Sequence, residues 1–354
     1  MTTNELLDEA YLRLHGKGPE FGGDEEGNHG LTNHGPMAVE VMVRRGLDVD
    51  VHHWLDGYLG KLTDLPGSVA PIAREDWRPA LGDHRRVGDW TTFFTTELAE
   101  RPWRDVLGEW WPRLLPGIVA GSTHGVIRVG HAVRALRASD SDRIAATELA
   151  YGLAFWAARW RVLPGVTALS GNLRAGDALS GIPRLADQTG VIAHRIGRLA
   201  DLPGWPAAVA AVAPAADPDD VPDRLADLMT EGVLRYRTHG VASPVLLVHT
   251  ATAPNAVRQV LPVLPKDVWP ESFAAVWAAC AAITSAYAPA APLSFTGHAP
   301  TDSDPVGEVF DRAARHGDEH VIKFADTAVD VFDRTGNPDA LAAALHAAEV
   351  IGAG

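Results

Sequence analysis

Apolar residues recur at helical spacing along most of this 354-residue chain, and this pattern constrains the fold more than any other feature. Several segments carry Pro near their start, where a helix leaves the backbone N–H unpaired in any case. Strands do not alternate with helices, and no internal repeat is present. The predicted helices cover about 5–14, 36–45, 52–66, 89–101, 102–114, 118–136, 141–162, 191–200, 223–238, 254–261, 270–287, 305–316, 318–334 and 338–351.

The predicted fold class is therefore all-α: one large multi-helix domain over residues 1–354 with long irregular loops. A segment at 207–223 is rich in Ala, Pro and Asp. Such a segment is either a surface excursion or a soft boundary between two halves of the domain.

Composition excludes several classes of function. The net charge of −14 argues against a nucleic-acid surface. The single cysteine, Cys280, excludes an internal disulfide framework and a Cys-based zinc site. We expect a cytoplasmic protein, since the first residues lack the basic and apolar regions of a signal peptide. The long uncharged run at 272–300 contains prolines and predicts a buried helix followed by a loop, not a membrane span.

Common cofactor and nucleophile motifs are absent from the sequence. It contains no GxGxxG, no Walker A motif and no GxSxG nucleophile elbow. Binding of a dinucleotide would therefore have to proceed without its usual glycine-rich loop.

Histidines provide the strongest chemical signal. Of 15 histidines, four lie where a helix is predicted to begin or next to a turn: His34, His124, His249 and His320. His298 has a similar setting. A neutral imidazole is a good ligand for Fe, Cu, Zn or Ni. One such histidine is usually a packed ring or a surface group, so the prediction of a metal site depends on the whole set.

Lys323 follows His320 by three residues, which places both side chains on neighbouring rows of one helix. Lysine is rare here, because 27 of the 31 basic residues are Arg. In one interpretation, Lys323 lies on a solvated face and pairs with Glu319 four residues earlier. In the other, the polar edge that carries His320 and Lys323 faces an enclosed site.

These residues also carry a resemblance to a known family. In order along the chain, several separated motifs resemble the questin oxidase-like family. They are Asn33-His34-Gly35-Pro36-Met37, the block from Asp89 to Glu97, the stretch from Pro116 to Ile127, Phe295-Thr296-Gly297-His298 and Glu319-His320-Val321-Ile322-Lys323.

The resemblance implies an α-helical protein that oxidises aromatic polyketides, with Baeyer–Villiger-like opening of an anthraquinone ring as the type reaction. It also implies either a non-haem iron centre with four histidines and a carboxylated lysine, or NADPH-dependent oxidation. The matching metal ligands are His34, His124, His249, His320 and Lys323. His249 has the least distinctive surroundings, and His298 is its replacement.

Further roles follow from the chemistry that such a reaction needs. Arg128 could hold a phenolate or quinone oxygen, and His131 or His298 could act as acid and base. The helical stripe of Arg128 and His131 equally fits a solvated polar face. Apolar side chains would line a cavity for a flat ligand, and the candidates are Trp90, Phe93, Phe94 and Trp160.

Three hypotheses remain open at this point. The first is an Fe(II)-dependent oxygenase that takes O2 and an aromatic polyketide quinone or hydroquinone as its substrates. The second is a metal-free NADPH-dependent monooxygenase. The third is a helical carrier of polycyclic ligands whose histidines are structural.

Overall fold

Helices form nearly all of the regular structure in residues 3–21 and 32–352, the part of the chain that the computed structural model describes. The all-α prediction is confirmed. Residues 1–161 and 162–354 form two compact units, and each is described by itself. The single-domain interpretation stays a prediction. None of the described helices is both long and apolar enough to span a bilayer.

The first unit contains seven described α-helices and a two-stranded antiparallel sheet. The strands are β1 (Lys17–Glu20) and β2 (Leu62–Asp64), which the sequence pattern did not predict because both are very short. The helices are α1 (Thr3–Leu14), α2 (Gly35–Arg45), α3 (Val51–Leu59), α4 (Val87–Glu100), α5 (Trp103–Leu114), α6 (His124–Ala138) and α7 (Arg143–Arg159).

The second unit contains ten α-helices within its described residues. They are α8 (Ala175–Gly181), α9 (Ile192–Arg198), α10 (Trp205–Ala210), α11 (Val221–His239), α12 (Pro244–Leu247), α13 (His249–Val260), α14 (Trp269–Tyr287), α15 (Pro305–His316), α16 (Glu319–Thr335) and α17 (Asp339–Val350). Helix α16 packs against α11, α13, α15 and α17. This explains why α16 is buried on nearly all sides.

Helix α13 begins five residues before the predicted position, because Pro254 lies inside the helix and not at its start. A proline cannot donate a hydrogen bond to the carbonyl four residues earlier. Here the Thr250 carbonyl accepts a hydrogen bond from the Cys280 thiol, with Sγ 3.5 Å away. The lone cysteine thus compensates for the missing backbone donor, and burial raises the pKa of its thiol.

Two buried ion pairs fix α6 in the first unit. Glu148 on α7 accepts hydrogen bonds from Arg128 Nε at 2.5 Å and Nη2 at 3.0 Å. Glu40 on α2 accepts from Arg134 Nε at 2.8 Å, and its other oxygen lies 2.8 Å from His131 Nδ1. Both carboxylates are 1% exposed. Because α6 begins at His124 and α2 begins one residue after His34, these pairs fix the two helices that carry those histidines.

The aromatic residues predicted to line a substrate cavity instead pack against other parts of the first unit. Trp90, Phe93 and Phe94 on α4 form edge and stacked contacts with each other and with Trp110 on α5, at centroid distances of 4.9–5.7 Å. The Trp160 ring lies against Gly117, where an added Cβ would come within 2.2 Å of it. All four rings therefore have packing contacts in place of the predicted role in a substrate cavity.

Replacing Glu40 by Gln should destabilise the protein by about 3–5 kcal/mol, because Arg134 would remain buried without its carboxylate. Burial opposes ionisation of Glu40, but Arg134 and His131 outweigh it and lower the pKa of Glu40 to about 2. The ionised group therefore contributes stability above pH 4.5, and this contribution is lost as pH falls toward 2.

Urea unfolding at pH 7 and pH 3.5 measures both effects. The difference in unfolding free energy between the two pH values should shrink in E40Q. The exposed Glu100 provides a control, since E100Q should leave both values within about 0.5 kcal/mol of wild type. An unchanged pH dependence in E40Q would contradict the prediction.

Candidate metal-binding histidines

The four histidines singled out from the sequence all lie at helix starts. His34 is the residue before α2, His124 and His249 are the first residues of α6 and α13, and His320 is the second residue of α16. All four are at most 7% exposed. The first two belong to the first unit and the last two to the second.

In the first unit, the rings of His34 and His124 face each other through their Nε2 atoms, which are 2.8 Å apart. Two nitrogen ligands about 2.1 Å from one metal and about 85–90° apart are separated by about 2.8–3.0 Å. The spacing of this pair therefore fits two adjacent positions on a metal ion.

The partners of the opposite ring nitrogens set the protonation of this pair. His34 Nδ1 lies 2.6 Å from Glu20 Oε1, and His124 Nδ1 contacts the Gly121 carbonyl oxygen. An ionised carboxylate and a carbonyl only accept, so both Nδ1 atoms carry the proton. A neutral imidazole then has a lone pair on Nε2. Two such lone pairs facing each other would repel, so this contact is satisfied either by a proton on one Nε2, which then donates to the other ring, or by a metal cation.

Glu20 and Tyr58 hold His34 from behind. The Tyr58 hydroxyl donates a hydrogen bond to Glu20 Oε1 and accepts from the backbone N–H groups of His34 at 2.6 Å and Gly35 at 2.8 Å. Carboxylate partners of this kind orient metal-binding histidines and raise their basicity. The sequence pattern did not predict these roles of Glu20 and Tyr58. Glu20 lies in a strand that was not predicted, and both residues are distant from His34 along the chain.

A left-handed turn positions His124. Gly121, Ser122 and Thr123 have φ values of 53°, 60° and 69°. Ser and Thr rarely adopt this region, since the side chain crowds the backbone. The turn explains why α6 begins at His124 and not at residue 118, as predicted. It also brings the Gly121 carbonyl back onto the His124 ring.

In the second unit, the rings of His249 and His320 form an edge contact with centroids 5.7 Å apart. His249 Nδ1 lies 3.1 Å from the Leu246 carbonyl oxygen, which fixes the proton on that nitrogen. Asp318 caps α16 by accepting from the His320 and Val321 N–H groups, and it also lies 3.5 Å from His320 Nδ1. Ligand atoms of Asp318, Glu319 and His320 all lie within 4.8 Å of one another.

The pKa values of both histidines in the second unit are lowered, which favours the neutral form. Burial is the main cause that lowers the pKa of His249, and the positive charges of His320 and Lys323 add to it. Burial and then Lys323 lower the pKa of His320, although Asp318 and Glu319 oppose them. Neutral imidazole is the form that binds a metal.

Lys323 is buried, with 2% of its surface exposed, and Glu319 is 5% exposed. The solvated-face interpretation of this lysine is therefore wrong. The helical wheel failed here because α16 is covered on its polar edge as well as on its apolar side.

The remaining predicted site residues have other settings. Arg128 is the partner of Glu148, and His131 lies in the Glu40–Arg134 network. The His298 side chain is 47% exposed, and its Nδ1 lies 2.8 Å from Glu349. An exposed imidazole of this kind does not fit an enclosed metal ligand or an enclosed acid–base group, whereas His249 is buried.

The cavities differ in size and position. A groove of about 310 Å³ in the first unit is lined by residues such as Arg101 and Trp103. A groove of the same volume in the second unit is lined by residues such as Arg224 and Phe273. Neither lining includes a predicted site residue. A smaller cavity of about 30 Å³ in the first unit includes Arg128.

Comparison with known proteins supports the resemblance. Residues 57–158 match the family model described as Questin oxidase-like, which confirms the resemblance over that segment. The segment contains Tyr58, His124, Arg128 and His131, whereas His34, His249, His320 and Lys323 lie outside it. The match suggests an oxidoreductase of the oxygenase type with a small aromatic substrate. No curated protein matches the chain.

The left-handed turn predicts an unusual order of stabilities at position 122. S122G should be more stable than S122A by about 1 kcal/mol, since only glycine adopts this region without steric cost. Thr96, exposed within α4, provides the matched control, where T96A should be more stable than T96G by about 1 kcal/mol. Urea unfolding of the four variants measures both differences, and equal stabilities of S122A and S122G would contradict the strain.

Proposed function

We propose that this protein is a non-haem iron oxygenase that oxidises, with ring opening, an anthraquinone-like quinone or hydroquinone. The observation that carries the proposal is the His34–His124 pair, whose Nε2 atoms lie 2.8 Å apart with both Nδ1 protons directed at acceptors. The resemblance to the questin oxidase-like family supplies the reaction class.

In this proposal, His34 and His124 of the first unit and His249, His320 and Lys323 of the second are the ligands of one Fe(II). All four histidines are buried. In His34, His124 and His249 an acceptor contacts Nδ1, so Nε2 is the nitrogen that would bind the metal. A bound iron would supply redox chemistry and a coordination position for O2. Assignment of all five ligands to one ion is part of the proposal.

The proposed role of Lys323 is to provide an anionic oxygen ligand after carboxylation. The neutral amine adds to CO2, so that an N–C bond forms and one proton is released, giving a carbamate. Burial disfavours the charged ammonium and therefore favours the reactive form. A carbamate oxygen would act as Asp or Glu does in other iron sites.

Iron content of the purified protein tests the ligand set. Wild type should contain about one iron per chain, and H34A, H124A, H249A and H320A should each lose most of it. The exposed His53 and His298 provide the controls, so H53A and H298A should keep the metal. Loss of iron in H298A together with its retention in H249A would identify His298, and not His249, as the fourth histidine ligand.

Oxygen uptake with an anthrahydroquinone distinguishes the alternative functions. Iron-dependent uptake that a chelator abolishes supports the proposal. Turnover by metal-free protein that consumes NADPH would replace it with the NADPH-dependent monooxygenase. Tight binding of the aromatic compound without O2 uptake would indicate a carrier.

Carboxylation of Lys323 has its own test. Protein equilibrated with ¹³C-bicarbonate should show one carbamate carbon signal by NMR, which K323A should lack. K323E should retain more iron than K323A, because it supplies a carboxylate directly. Identical spectra of wild type and K323A would remove the carbamate from the proposal.

A further inference from the structure

The cavity of about 30 Å³ in the first unit is lined by neighbours in sequence of the His34–His124 pair. Its lining includes Asn33, which precedes His34 in the chain, and Arg128, which lies one helical turn after His124 on the same face of α6. Tyr151 lies in the same lining, together with Lys17, Leu65 and Phe155.

Asn33, a lining residue of this cavity, has an unused hydrogen-bond donor. Its Oδ1 accepts from the Gly35 N–H at 3.1 Å, which identifies the other atom as the amide nitrogen. Asn33 is 2% exposed, and its buried Nδ2 has no hydrogen-bond partner among the residues that the structure describes. A buried donor without an acceptor is costly and implies a ligand or water.

Arg128 and Tyr151 add two further donors. Glu148 engages Nε and Nη2 of Arg128, so Nη1 stays outside that ion pair. The Tyr151 hydroxyl oxygen accepts from the Gly16 N–H at 3.0 Å, so its own hydrogen is available to another acceptor. Three side-chain donors thus line one small cavity.

We infer that Asn33, Arg128 and Tyr151 form a binding site for an acceptor oxygen that carries negative charge. Two sources share this chemistry: a small free anion, or the phenolate or carbonyl oxygen of an aromatic substrate. The substrate source rests on the proposed function, whereas the donor site itself does not. The cavity admits about two waters or a ligand of about three heavy atoms, so only the oxygen-bearing end of an aromatic molecule enters it.

Formate is a suitable probe, because it has three heavy atoms and a charged pair of oxygens. A ligand of this size binds no more tightly than about 1 mM. The affinity is measured as saturable thermal stabilisation of the 354-residue protein by formate. The ionic strength is held constant with sulfate, which is the larger ion. Wild type should be stabilised in this way.

The variant N33D keeps Oδ1 as the acceptor for the Gly35 N–H and replaces the Nδ2 donor with an oxygen. Its affinity for formate should fall at least tenfold. N337D is the matched control, since Asn337 Oδ1 accepts from the Asp339 N–H two residues on, in the same way as Asn33 accepts from Gly35. N337D should bind formate as wild type does. Y151F, which lacks one donor, should also bind more weakly.

Two results would overturn the inference: no saturable stabilisation of wild type, or equal affinity of N33D and wild type for formate. The source of the oxygen is decided separately. Competitive inhibition of anthrahydroquinone oxidation by formate assigns the site to the substrate, and binding without inhibition assigns it to a free anion. If the protein has no oxygenase activity, the proposed function fails, while the formate measurement still decides the donor site.

Discussion

The opposed Nε2 atoms of His34 and His124 are the constraint that organises the first unit. Their spacing persists only because each ring has its proton fixed on the far side, by Glu20 in one case and by the Gly121 carbonyl in the other. Each of these partners needs its own support. Glu20 requires the short β1 strand and the Tyr58 hydroxyl, and the Gly121 carbonyl requires the left-handed turn before α6. The ion pairs of α6 then fix both helices.

The two histidine pairs have different electrostatic surroundings. His34 contacts the carboxylate of Glu20, which favours a positive charge on or beside the ring. His249 and His320 are near the Lys323 amine, whose charge disfavours protonation of either ring. Conversion of that amine into an anion would reverse the second environment and make it similar to the first. This reversal is a physical reason why carboxylation of Lys323 would matter more than a simple gain of one ligand atom.

Helical periodicity predicted the fold class and most helices, and local turn signals predicted the helix starts at which His34 and His320 lie. The start of α6 could not be predicted, because nothing in Ser122 or Thr123 indicates a left-handed backbone. Nor could the start of α13, since the group that contacts the carbonyl freed by Pro254 is the Cys280 thiol, which lies far away in sequence. Burial of Lys323 and the role of Glu20 depend on residues far away in sequence, so a single-helix wheel gave no indication of either.

The preference of this chain for arginine has a structural component at two positions. Arg128 and Arg134 each hold a buried carboxylate through two guanidinium nitrogens. A lysine has one charged nitrogen and cannot reproduce that two-point contact. Drift in genomic base composition can exchange Arg for Lys at an exposed site such as Arg143 with little effect. Among related sequences of different codon usage, positions 128 and 134 should therefore remain arginine while the surface changes, which makes them a guide to aligning distant relatives.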